Sequence, residues 1–69
     1  MKGNFNQMKM SEIKRILRKY GCYKINGGTN HEKWLSPITG LTIRIGRHDS
    51  QEVPNGTAAA IFKRAGITI

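Results

Sequence analysis

Sixty-nine residues allow one small domain, and 12 Lys and Arg against 4 Asp and Glu give it a formal charge of +8. A domain of this size buries only about 60% of its unfolded surface, which excludes a deep internal pocket and puts any site on a loop or a sheet face. One cysteine excludes an intramolecular disulfide, and no apolar run approaches the ~18 residues of a membrane span, so the expected setting is cytoplasmic with no membrane partner. Charge of this sign favours a polyanion such as RNA or DNA as partner, then an acidic protein.

Residues Met1 to Gln7 are polar and aperiodic, have no apolar core like that of a signal peptide, and are expected to form a flexible extension (1–7) to a single domain (8–69). Ser11 to Tyr20 predicts a helix, with Ser11 as N-cap and Glu12 placing a negative charge in the first turn. Ile13, Ile16, Leu17 and Tyr20 make one apolar stripe, and Gly21 stands where a left-handed terminator belongs. Lys14, Arg15, Arg18 and Lys19 fall on the opposite face, either as a solvated surface or as phosphate contacts that read no sequence.

Cys22 to Asn26 predicts a first strand, with Tyr23 and Ile25 on one side and Cys22 and Lys24 on the other. Gly27 to Asn30 turns the chain into a second strand, His31 to Ser36, where Trp34 alternates with Lys33 and Leu35. After a Pro37–Gly40 turn, Leu41 to Ile45 predicts a third strand with Leu41, Ile43 and Ile45 facing in and Thr42 and Arg44 facing out. Gly46 to Val53 reads as a polar loop, and Asn55 as the N-cap of a second helix whose stripe is Ala58, Ile61, Phe62 and Ala65. Ile67 to Ile69 is an apolar tail able to fold back on the core. Helix, three strands and helix, joined by short turns, predict an α+β two-layer sandwich: α-β-β-β-α, a three-stranded antiparallel sheet with both helices on one face.

Chemistry centres on "GGTNHEKW", Gly27 to Trp34. Histidine both takes and gives a proton near neutral pH, so His31 suits RNA cleavage, in which a base activates the 2′-hydroxyl and an acid protonates the leaving 5′-oxygen. Such chemistry needs no metal or cofactor. Gly27 and Gly28 permit positive φ and close approach of a phosphate backbone, while Thr29 and Asn30 supply donors. The same residues also make an ordinary β-turn followed by a histidine. His48 in "GRHDS" is a second candidate, with Asp49 to orient it and Arg47 to stabilise charge on a phosphorane, although an exposed loop histidine explains it as well.

Cys22, His31, His48 and Asp49 lack metal-ligand spacing, and Cys22 reads as a small buried hydrophobe. Trp34 and Tyr23 either stack on bases or fill the core, and scarcity of aromatics favours the core. Lys24, Lys33 and Arg44 on the strands, with Arg47, are candidate phosphate contacts.

Four stretches, "MKMSEIKRILRKYG", "GGTNHEKW", "GRHDS" and "GTAAAIFKRAGI", together resemble a HicA-type toxin, the small mRNA-cleaving partner of bacterial toxin–antitoxin modules. The resemblance runs from Met8 to about Ile67, and Gly28-Thr29-Asn30-His31 is similar to that family's glycine, serine or threonine, histidine pattern. It implies a fold related to the double-stranded RNA-binding domain, a catalytic His31, cleavage of single-stranded mRNA without metal or ribosome, and a HicB-type antitoxin that covers His31. Pro54-Asn55-Gly56-Thr57 lacks the lysine cluster with which true duplex binders start their last helix. The alternative is a non-catalytic RNA-binding module of the same architecture. A third reading is an interaction domain for an acidic protein.

Overall fold

The computed structural model describes residues 7–28 and 30–68. Its elements are β1 (Gln7–Lys9), α1 (Met10–Lys19), β2 (Tyr23–Gly27), β3 (His31–Leu35), β4 (Thr42–Gly46), β5 (Glu52–Pro54) and α2 (Asn55–Ala65). β2, β3 and β4 form an antiparallel sheet in that order, and β1 pairs with β5 in a separate two-stranded ribbon. The α-β-β-β-α sandwich expected from periodicity is present. The ribbon is an addition: the stretch read as a polar loop contains a strand whose Val53 pairs with Met8. Gln7, assigned to the extension, pairs with Pro54, and the rest of that extension lies outside the described residues.

One core joins the layers. Met10, Ile13 and Leu17 of α1 and Ala58, Ile61, Phe62 and Ala65 of α2 pack with Trp34, Ile43 and Ile45 of the sheet, and Cys22, Val53 and Ile67 complete the cluster. Trp34 therefore belongs to the core. Tyr23 does not: it is 51% exposed, because β2 is an edge strand and Tyr23 lies opposite Leu35 on the side away from the helices. Tyr20 and Leu41, expected inside, are also exposed. Tyr20 has already left the helix as its C-cap, and Leu41 precedes the first residue of β4.

Both helices start differently from their sequence signals. α1 begins at Met10 with Lys9 at the N-cap, and Ser11 is an ordinary first-turn residue. The reason is tertiary: the N–H groups of Met10 and Ser11 donate to the carbonyls of Gln51 and Asp49, while Glu12 accepts the Lys9 N–H. Those bonds satisfy donors that a side-chain cap otherwise serves. α2 begins at Asn55 directly after β5, so Pro54 rather than Asn55 holds the N-cap position. The helix ends agree with the sequence signals: Gly21 (φ 90°) and Gly66 (φ 78°) take the left-handed conformation that follows a helix. At the far end of the sheet the Ser36 hydroxyl donates to the Ala65 carbonyl (2.6 Å), tying the β3–β4 turn to the last turn of α2.

Candidate functional site

The site begins with the β2–β3 turn. The Gly28 N–H donates to the His31 carbonyl at 2.7 Å, and a Cβ on Gly28 would stand 2.9 Å from that oxygen. Glycine is required there for closeness rather than for φ. Neither Gly27 nor Gly28 has the positive φ expected of it. The turn makes His31 the first residue of β3, opposite Gly46 of β4.

Strand alternation then divides the side chains. Trp34 is buried beneath the helices, and Glu32, on the same face, turns its carboxylate to the Trp34 indole N–H (3.0 Å). His31 and Lys33 point the other way, into solvent. Register sets Arg44 opposite Lys33, and the Arg44 Nη2 lies 3.3 Å from His31 Nδ1. A guanidinium only donates, so in this contact Nδ1 accepts and a neutral ring carries its proton on Nε2.

An open groove of about 590 Å³ runs from this face over the edge of β4 to α2. His31, Glu32, Lys33 and Arg44 line it from the sheet, with Asn26 and Gly28 at the turn; Thr57, Ala60 and Arg64 line it from the helix, with Ile43 and Ile61 among its apolar contacts. Arg64 is fixed by its Nε, which donates to the Thr42 carbonyl at 2.5 Å. Among the described residues no carboxylate lies within 4 Å of Lys33, Arg44 or Arg64.

A second cleft, about 400 Å³, lies between α1 and the β2 side of the sheet, and its charges are paired. Lys14, expected on a solvated face, is 4% exposed. Its ammonium donates to Asp49 Oδ1 (2.8 Å) and to the Arg47 carbonyl (3.1 Å), and it lies 3.3 Å from Glu32 Oε1. Burial acts to raise the Glu32 carboxyl, but the hydrogen bonds from Trp34 and Lys14 and the charges of Lys14 and Lys24 outweigh it and leave it below its ordinary value. Asp49 is held below its ordinary value chiefly by the Lys14 hydrogen bond and charge. The Arg18 guanidinium lies 5.2 Å from the centroid of the Trp34 ring, a cation–π contact that closes the cleft.

Of the residues singled out in the sequence, His31, Gly28, Lys33 and Arg44 meet in the groove. Arg47 and Lys24 line the second cleft instead, with Lys24 3.9 Å from Glu32. Asn30 is exposed, and its carbonyl accepts the Arg47 N–H, while Thr29 lies outside the described residues. Asp49, offered as a partner for His48, is engaged by Lys14. Arg64 was not among the candidates. Its signal is faint: Thr57, Ala60 and Arg64 form a stripe flanking the apolar one on α2. Among the described residues no cluster of three or more His, Cys, Asp or Glu is placed to hold a metal ion, and no helix is long and apolar enough to cross a membrane.

No curated protein and no solved structure matches the chain. A family model does: that of the HicA toxin of bacterial toxin–antitoxin matches residues 10–67, from the first residue of α1 to just beyond α2. The match spans both helices, the whole three-stranded sheet and the groove that holds His31, and on that ground the chain belongs to the HicA toxin family, the toxins of toxin–antitoxin systems.

Proposed function

We propose that this toxin is a metal-independent endoribonuclease that cuts single-stranded mRNA with His31 as general acid and base. A HicB-type antitoxin inhibits it by covering His31. One observation carries the reading: His31 shares an open groove with three cations, none of which has a carboxylate within 4 Å among the described residues, and Glu32, the acidic residue on the groove's lining, turns its carboxylate to Trp34 and Lys14. Glu12 accepts from the Lys9 N–H, Glu52 lies by Lys9, and Glu32 and Asp49 meet at Lys14. Like charges gathered without an ion-pair partner repel one another, and a bound polyanion relieves that repulsion.

The chemistry is proton transfer around one phosphate. His31 Nδ1 takes the proton of the 2′-hydroxyl, and the 2′-oxygen attacks the adjacent phosphorus. The bond to the 5′-oxygen breaks, and the protonated imidazole returns its proton to that oxygen. The products are a 2′,3′-cyclic phosphate and a 5′-hydroxyl. Arg44 and Lys33 stabilise the charge that develops on the phosphorane, with Arg44 moving from the ring nitrogen to a phosphate oxygen as substrate enters. The need for a 2′-hydroxyl restricts the reaction to RNA. Gly28 and Asn30, which flank the turn beside the strand, and Thr29 supply further RNA contacts, while Arg47 and Lys24 act at most as outlying phosphate contacts.

The test is cleavage of single-stranded RNA by wild-type and His31→Ala protein, with chelator present and ribosomes absent. Wild-type cleavage to 5′-hydroxyl ends, lost in the variant and absent with DNA of the same sequence, supports the reading. RNA bound but uncut by both proteins supports the non-catalytic module instead. Addition of a HicB-type antitoxin should abolish cleavage.

A further inference from the structure

We propose that Arg64 of α2 is a substrate-binding residue whose guanidinium holds a second phosphodiester of the strand, next to the one at His31. The inference rests on the ribonuclease reading and extends it from one phosphate to a track. Arg64 shares the groove with His31, Lys33 and Arg44, although it comes from the opposite layer of the sandwich. Its Nε–H is spent on the Thr42 carbonyl (2.5 Å), and its own carbonyl accepts from the Thr39 hydroxyl (3.0 Å). Both ends of the residue are therefore anchored. A guanidinium has five N–H donors, so the four on its two terminal nitrogens remain for a ligand, in a planar fork suited to two oxygens of one phosphate.

Spacing supports a neighbouring phosphate rather than the same one. The carbonyl that anchors Arg64 belongs to Thr42, two residues from Arg44 along β4. Two residues of strand span about 6.6 Å, the scale of one nucleotide step. Ala60, exposed on α2, lines the same groove and offers it an apolar contact. A path over a strand edge suits a single strand, which bends freely, better than a stiff duplex.

The experiment uses the full chain carrying His31→Ala, so that RNA is bound without being consumed, and a fluorescein-labelled single-stranded oligoribonucleotide as probe. Affinity is measured against salt for this protein and for its Arg64→Gln, Arg64→Lys and Lys19→Gln derivatives. Loss of one phosphate contact on a single strand lowers the slope of log affinity against log salt by about 0.7. The expected result is that fall with Arg64→Gln and a severalfold loss of affinity. Arg64→Lys recovers the slope but only part of the affinity, and Lys19→Gln on the outer face of α1 leaves the slope unchanged. A merely structural role for the Thr42 bond lowers the melting temperature without moving the slope. RNA binding with an unchanged slope in Arg64→Gln overturns the assignment and leaves Arg64 to an acidic antitoxin surface. Failure of the His31→Ala protein to bind RNA at all overturns the ribonuclease reading, and this inference with it.

Discussion

The two clefts of this domain use the same residue types to opposite ends. Between α1 and the sheet, Lys14 meets Asp49 and Glu32, and Glu32 also engages Trp34 and Lys24. Across the sheet and over its edge, His31, Lys33, Arg44 and Arg64 gather with no carboxylate among the described residues within ion-pair distance of the three cations, because Glu32, which borders both clefts, turns to Lys14 and Trp34. The first arrangement holds the domain together. The second costs the fold a little through self-repulsion and gains only when an anion arrives. In a chain with 4 acidic residues, where those carboxylates are placed decides which basic surface stays open.

Substitutions on the two sides should therefore separate activity from stability. The largest effect is expected at His31. Loss of a general acid–base group lowers cleavage by about 10²–10⁴-fold, and because His31 is solvent-exposed, the melting temperature of His31→Ala should stay at the wild-type value. A variant that cleaves normally, or that melts much earlier, breaks the comparison. Next comes Lys14→Ala, which strips Glu32 of its nearest charge partner inside the domain. Breaking a buried pair costs about 3 kcal/mol, toward the lower end because Asp49 faces solvent. Denaturant unfolding checks it, and Lys14→Met with Glu32→Gln should recover part of the loss by removing both charges.

Arg44→Ala should lower cleavage about tenfold or more by removing a donor from the developing phosphorane, with denaturant stability unchanged. Equal losses of activity and stability there would place Arg44 with the structural charges. The smallest effect is the pH dependence of stability, which belongs to the paired cleft alone. Glu32 and Asp49 both titrate lower in the folded chain than their ordinary values of 4.5 and 3.8. The unfolded state thus binds more protons in that range, so stability rises with pH there. Their contribution is complete above those ordinary values and is lost as the pH falls through the lower folded ones. Thermal melts from neutral to acidic pH should show that loss, and Lys14→Met should flatten it. A wild-type protein as stable at pH 3 as at pH 6 would remove the Lys14 cluster from the account.

Much of the architecture was legible because it is recorded in local periodicity. The stripe Ala58, Ile61, Phe62 and Ala65 is buried as its spacing demands, and so are Ile13 and Leu17 of α1. The β2–β3–β4 meander follows from short turns between alternating segments. Errors cluster where one element depends on a distant one. Ser11 has the chemistry of a cap, yet the carbonyls of Asp49 and Gln51 serve the first turn of α1. Met8 pairs with Val53 across most of the chain, a contact for which a three-residue strand leaves no periodic trace. Lys14 sits one position from Ile13 and looks solvent-facing on a helical wheel. It is buried because the carboxylates of Glu32 and Asp49 lie across from it.

By itself the sequence determined the order and type of the main elements, the apolar face of each helix, the excess of positive charge, and His31 as the residue suited to proton transfer beside a glycine turn. Only the tertiary structure decided which cations stand with His31. Lys33 shares its face by alternation along β3, but Arg44 joins it through strand register and Arg64 through the packing of α2 against the β4 edge, whereas Arg47 and Lys24 are drawn to the other cleft. The physical reason is one of range. Side-chain periodicity reports which face of an element avoids water, but not which element lies opposite, and a charged site is made by what lies opposite.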